Sequence, residues 1–86
     1  MKYTVIISHP AQKVIDRLET DLFNRIVKKL KILKDNPRPH GADKLTGEAD
    51  VYRVRVEDWR IVYQIRDREL VVLIVKVAHR REVYRG

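Results

Sequence analysis

Val51-Tyr52-Arg53-Val54-Arg55-Val56-Glu57-Asp58-Trp59-Arg60-Ile61-Val62-Tyr63-Gln64-Ile65-Arg66 alternates apolar and polar side chains on both sides of an acidic pair. Period-two alternation in runs rich in Val, Ile and Tyr marks half-buried strands, and Glu57-Asp58 reads as a two-residue hairpin turn between them. That register sets Val56 against Trp59, Arg55 against Arg60 and Val54 against Ile61. Tyr52, Val54 and Val56 then share a face with Trp59, Ile61, Tyr63 and Ile65, while Arg53, Arg55 and Arg60 take the other face with Val62, Gln64 and Arg66. Like charges directly opposite each other weaken a sheet by up to about 1 kcal/mol, so the Arg55–Arg60 pair points to a compensating anion.

A third strand-like run, Leu70 to His79, follows the polar turn Asp67-Arg68-Glu69, which makes an antiparallel meander. With three residues in that turn, Val71, Leu73, Val75 and Val77 point inward. Lys76, Ala78 and Arg80 join the arginines outside, and His79 points inward. Val62, Leu70, Val72 and Ile74 then form an apolar area beside the basic one, as a surface with a protein partner would.

On the N-terminal side, residues 37–50 hold two of the three prolines and two of the three glycines and read as a connecting loop. Tyr3 to Ile7 is a strand with Tyr3, Val5 and Ile7 on one face. Ser8-His9-Pro10 starts a short helix with Ala11, Val14, Ile15 and Leu18 on its apolar side, ending near Glu19. Thr20-Asp21 opens a second helix, whose stripe is Leu22, Phe23, Ile26, Val27, Leu30 and Leu33, and Asn36-Pro37 closes it. The order β-α-α-β-β-β predicts an α+β fold in one domain, residues 1–86, with a small antiparallel sheet packed on an N-terminal helical hairpin.

The chain has 86 residues and a formal net charge of +7. Ten basic residues stand against seven acidic ones up to residue 52, and nine against five from residue 53 onward. Seven of the eight lysines lie at or before Lys44, whereas eight of the eleven arginines lie at or after Arg53. Guanidinium groups suit bidentate contact with phosphate, so the second half is the half that meets an anion. The absence of cysteine excludes disulfides, thiolate metal sites and a Cys nucleophile. Scattered Asp and Glu give no reason to expect a metal or a cofactor. The N-terminal apolar stretch is too short for a secretion signal, and no apolar run approaches the roughly 20 residues of a membrane span, so the expected location is cytoplasmic with no membrane contact.

Lys44-Leu45-Thr46-Gly47, Tyr52 to Val56, Trp59 to Ile65 and the ending Val77-Ala78-His79-Arg80-Arg81-Glu82-Val83-Tyr84-Arg85-Gly86 occur in one order. Taken together they resemble the RelE branch of the RelE/ParE toxin superfamily along the whole chain. The resemblance implies the toxin of a type II toxin-antitoxin system that cuts mRNA in the ribosomal A site without a metal, contacting mRNA and 16S rRNA. It also implies neutralisation by a RelB-like antitoxin in a hetero-oligomer. The family's functional residues fall on Arg53, Arg55, Arg60, Arg80 and Tyr84, and Lys44, Lys76 and Arg81 of this chain are further candidate RNA contacts.

Such cleavage uses the RNA 2′-OH as nucleophile and leaves a 2′,3′-cyclic phosphate and a 5′-OH, which calls for in-line positioning, charge stabilisation and proton transfer. Arg60 and Arg80 suit a phosphate clamp, and Tyr84 suits a base-stacking or orienting role. The family often has Lys where this chain has Arg53 and Arg55, and arginine does not give up its proton. Either Arg55 then acts purely through its charge or another group takes the proton, and His79, beside Arg80, is the best alternative. His9 and His40 read as a helix-start and a loop residue. Two alternatives stand beside this reading: the resemblance also admits a ParE-like inhibitor of DNA gyrase within the same superfamily, and the basic charge admits a small RNA-binding module without cleavage.

Overall fold

The computed structural model describes residues 2–47 and 49–83. β1 (Thr4–Ile7) is followed by α1 (His9–Asp16) and α2 (Thr20–Asp35). Then come β2 (Asp43–Lys44), β3 (Val51–Val56), β4 (Trp59–Arg66), β5 (Val71–His79) and the short α3 (Arg80–Val83). The first helix stops at Asp16 rather than near Glu19, and the connecting loop contains a two-residue strand that its sequence does not advertise. Ser8 caps α1 by accepting from the Ala11 N–H, and Glu19 caps α2 by accepting from the Leu22 N–H at 2.8 Å.

The five strands run in the order β1-β5-β4-β3-β2. The meander is antiparallel as expected, but β1 lies parallel to β5, with Ile6 beside Leu73. The two helices carry the chain from β1 to β2 at the opposite edge of the sheet, and the antiparallel meander then returns it so that β5 lies beside β1 in the same direction. Both helices cover one face of the sheet. Ala11 and Ile15 of α1 and Ile26, Leu30 and Leu33 of α2 pack on Val54, Val56, Ile61, Tyr63, Ile65, Val72, Ile74 and Val77. Tyr3, Val5 and Ile7 border that core.

The β3–β4 hairpin has the register read from sequence, with Val56 paired to Trp59, Arg55 to Arg60 and Val54 to Ile61. Its turn is tight because Glu57 adopts φ 53°, a left-handed conformation that hairpin turns favour, while its carboxylate pairs with Arg25 at 3.1 Å.

The β4–β5 turn corrects the sequence reading. It spans four residues, Asp67 to Leu70, with Leu70 at φ 54°, so the first half of β5 is rotated by one side chain. Val72 and Ile74 are fully buried in the core, and Val75, expected inside, is 43% exposed. A β-bulge then restores the expected parity. Val62 pairs with Lys76 but Tyr63 pairs with Ile74, leaving Val75 as the extra residue, and Val77 returns to the core. The bulged carbonyl of Val75 accepts from the Ser8 hydroxyl at 3.0 Å. The apolar area on the outer face therefore exists with a different membership: Ile6, Val71, Leu73 and Val75 beside Val62, in place of Leu70, Val72 and Ile74.

Candidate active site

Alternation on β3 and β4 carries Arg53, Arg55 and Arg60 to the face opposite the helices. β2 completes the site, because Asp43 pairs with Arg53 across the β2–β3 ladder and so lies on the same face. Gly41, Asp43, Arg53, Arg55 and Arg60 line a cleft of about 200 Å³. Gly41 enters it at φ 94°, a conformation glycine adopts without strain.

The three arginines are held differently. Arg60 is only 6% exposed, and its Nη1 donates back to the carbonyls of Trp59 at 3.2 Å and Glu57 at 3.4 Å. Arg53 is half-buried, with Nη2 3.9 Å from the Asp43 carboxylate. Arg55 is exposed and also borders a recess with Lys29, His40, Gly41 and Val54. A fixed guanidinium, a tethered one and a solvent-facing one thus converge on one small space, which suits an oxyanion with several acceptor atoms.

The loop bearing Gly41 and Asp43 is anchored at its start, through Pro37 and Arg38. Arg38 donates to both oxygens of Asp67 at 3.3 and 3.0 Å, and to the Tyr52 hydroxyl at 3.1 Å. Tyr3 donates to Asp67 Oδ1 at 2.6 Å, and the buried Tyr63 hydroxyl donates to the Pro37 carbonyl at 2.7 Å. Hydrogen bonds from Arg38, and then from Tyr3, hold the Asp67 carboxyl below its ordinary range. The same hydrogen bond raises the Tyr3 hydroxyl, and burial raises that of Tyr63.

The remaining residues singled out from sequence lie elsewhere. β5 ends at His79, so Arg80 begins α3 instead of continuing the outer face of the strand, and its N–H donates to the Asp58 carbonyl at 2.7 Å. Asp58, His79, Arg80, Arg81 and Glu82 line a second recess at that end of the sheet. The half-buried His79 ring meets Trp59 edge-on at 5.7 Å, and its Nδ1 accepts the Arg81 N–H at 3.3 Å. Lys76 faces outward opposite Val62 and Lys44 is exposed opposite Tyr52, neither lining the arginine cleft. Tyr84 lies outside the described residues. Sequence reading missed Gly41 and Asp43, since two residues of strand carry no alternation signal. Among the described residues no group of three or more His, Asp or Glu is gathered as metal ligands would be.

The family model described as ParE toxin of type II toxin-antitoxin system, parDE, matches residues 5–84. A putative RelE-like toxin protein of Escherichia coli is 35% identical over 82 residues, covering 93% of this chain and 85% of that protein. The chain belongs to the RelE/ParE toxin superfamily. Within the superfamily it is a type II toxin of the RelE family. The mRNA interferase toxin RelE of Escherichia coli (strain K12) is 32% identical over 88 aligned positions, covering 98% of this chain and 92% of the relative. The crystal structure of the archaeal RelE-RelB complex from Pyrococcus horikoshii OT3 contains a chain that superimposes with a TM-score of 0.80 at 28% identity, covering 93% of this chain and 97% of that one. The RelE-family fold thus accounts for the mixed sheet and the helical hairpin.

Proposed function

We propose that this toxin is a ribosome-dependent mRNA endonuclease that cleaves in the A site and so arrests translation in the cytoplasm. The observation that carries the reading is the convergence of Arg53, Arg55 and Arg60 on one cleft of about 200 Å³. A scissile phosphate there meets guanidinium groups that match its oxygens and stabilise the extra charge of the phosphorane formed when the 2′-OH attacks. Arg60, fixed by two backbone carbonyls, loses little freedom on binding and serves as the rigid part of the clamp. Arg80 and Arg81, in the neighbouring recess, extend the grip along the RNA backbone, with Lys44 and Lys76 as outlying contacts. Tyr84 stacks on or orients a base. His79, already accepting from Arg81, positions that segment.

The partner is a RelB-like antitoxin, as in the archaeal complex to which this chain is similar. Its docking surface includes the outer apolar strip of Ile6, Leu73 and Val75, whose burial would also support a small core. The family model's ParE description favours gyrase inhibition as the second reading. One comparison separates them. Primer extension on mRNA from translating ribosomes should show toxin-dependent breaks, and a DNA gyrase supercoiling assay should show no inhibition. The converse pair of results would select the gyrase reading.

A further inference from the structure

Cleavage by 2′-OH attack needs a group that takes the hydroxyl proton, and an arginine at neutral pH does not. Among the described residues that line the cleft, Gly41, Asp43, Arg53, Arg55 and Arg60, the one side chain able to accept a proton is the Asp43 carboxylate. The β2–β3 ladder fixes where its backbone sits. The β2–β3 register puts Asp43 directly opposite Arg53, and the Arg53 guanidinium lies 3.9 Å from its Oδ2. Its side chain is 72% exposed, so it remains open to an RNA ribose. His40 lines the adjoining recess with Lys29, and His79 lines the recess beside α3.

We infer that Asp43 is the proton acceptor for the attacking 2′-hydroxyl, an assignment that rests on the endonuclease reading above. The 2′-OH gives its proton to the Asp43 carboxylate as the 2′-oxygen forms its bond to phosphorus. The bond from phosphorus to the 5′-oxygen breaks, and the departing oxygen takes a proton from water. Asp43 then returns its proton to solvent, so the products are a 2′,3′-cyclic phosphate and a 5′-OH with no net change in protons. Arg53 holds the carboxylate at the rim of the cleft. Arg55 and Arg60 neutralise the phosphate, which would otherwise repel an acidic base.

The test is single-turnover cleavage of a short mRNA on programmed ribosomes by the full chain freed of antitoxin. Asp43→Asn keeps an oxygen for Arg53 but cannot take the proton, and its cleavage should slow by about 100-fold or more, within the range ascribed to a general base. Its affinity for the programmed ribosome should stay the same or tighten, since a negative charge has left an arginine cleft. Asp43→Glu should retain substantial activity, and added formate should partly restore Asp43→Ala. Wild-type cleavage with an undiminished Asp43→Asn rate would overturn the assignment while leaving the endonuclease reading intact. Equal loss of affinity and rate in Asp43→Asn would also overturn it, by making Asp43 a binding group. Absence of wild-type cleavage would instead defeat the endonuclease reading. Thermal melts of each variant keep a folding defect separate from a chemical one.

Discussion

Arg55 of β3 stands directly opposite Arg60 of β4, two positive charges paired across an antiparallel ladder. A fold assembled for stability alone would not choose that pair, because like charges at facing positions oppose pairing. Replacing the exposed member, Arg55→Gln, is expected to stabilise the isolated toxin by about 0.5 kcal/mol while depressing cleavage strongly. Urea unfolding beside a cleavage assay checks both signs. Loss of stability in Arg55→Gln would show that the pair is not a strain on the sheet.

The rotated half of β5 makes a sharp packing prediction. Ile74 is fully buried, so Ile74→Ala should cost about 2–4 kcal/mol in denaturant unfolding. Val75 is 43% exposed at the bulge, so Val75→Ala should change stability by no more than about 0.5 kcal/mol. The opposite ranking would restore the register in which Val75 points inward.

This is also where sequence reading lost the structure. The β3–β4 hairpin was legible because apolar and charged residues alternate along both strands and a short acidic turn fixes the pairing. Leu70-Val71-Val72-Leu73-Ile74-Val75 has no alternation, so either face satisfies it and the turn length decides. That length depends on a leucine at positive φ, which no composition signal announces. Beyond the bulge the pattern became readable again, with Lys76 out and Val77 in. The site followed the same rule. Arg53, Arg55 and Arg60 were visible from parity, Gly41 and Asp43 were hidden in a loop, and Arg80 moved off the sheet because β5 ends one residue before it.

The Arg38–Asp67 pair should make stability depend on acid. The folded-state pKa of Asp67 lies below its ordinary value of about 3.8, owing to hydrogen bonds from Arg38 and Tyr3. The stability this carboxylate contributes is therefore present above that value and lost as pH falls through the folded one. Melting temperatures measured between about pH 2.5 and 6 should fall more steeply for the wild type than for Asp67→Asn. Parallel curves would remove Asp67 from the acid response.

Tyr63→Phe deletes the buried hydrogen bond to the Pro37 carbonyl and leaves that acceptor without its donor. The expected loss is about 1–3 kcal/mol. Because this bond anchors the loop that carries Gly41 and Asp43, cleavage should fall in the Tyr63→Phe protein even at temperatures where it is fully folded. Full activity in the folded variant would show that the cleft does not depend on this anchor.

The proposed function has the arginine cleft on the outer face of the sheet cutting ribosome-bound mRNA. Its most direct test maps the ends of a short mRNA after incubation with programmed ribosomes and either the wild type or Arg60→Gln, both checked for folding by thermal melt. The wild type should give a single A-site break bearing a 2′,3′-cyclic phosphate, and Arg60→Gln a break slower by at least about a hundredfold, on the order of one lost charge-stabilising donor. An Arg60→Gln protein that cuts the same bond at the wild-type rate would contradict the proposed function.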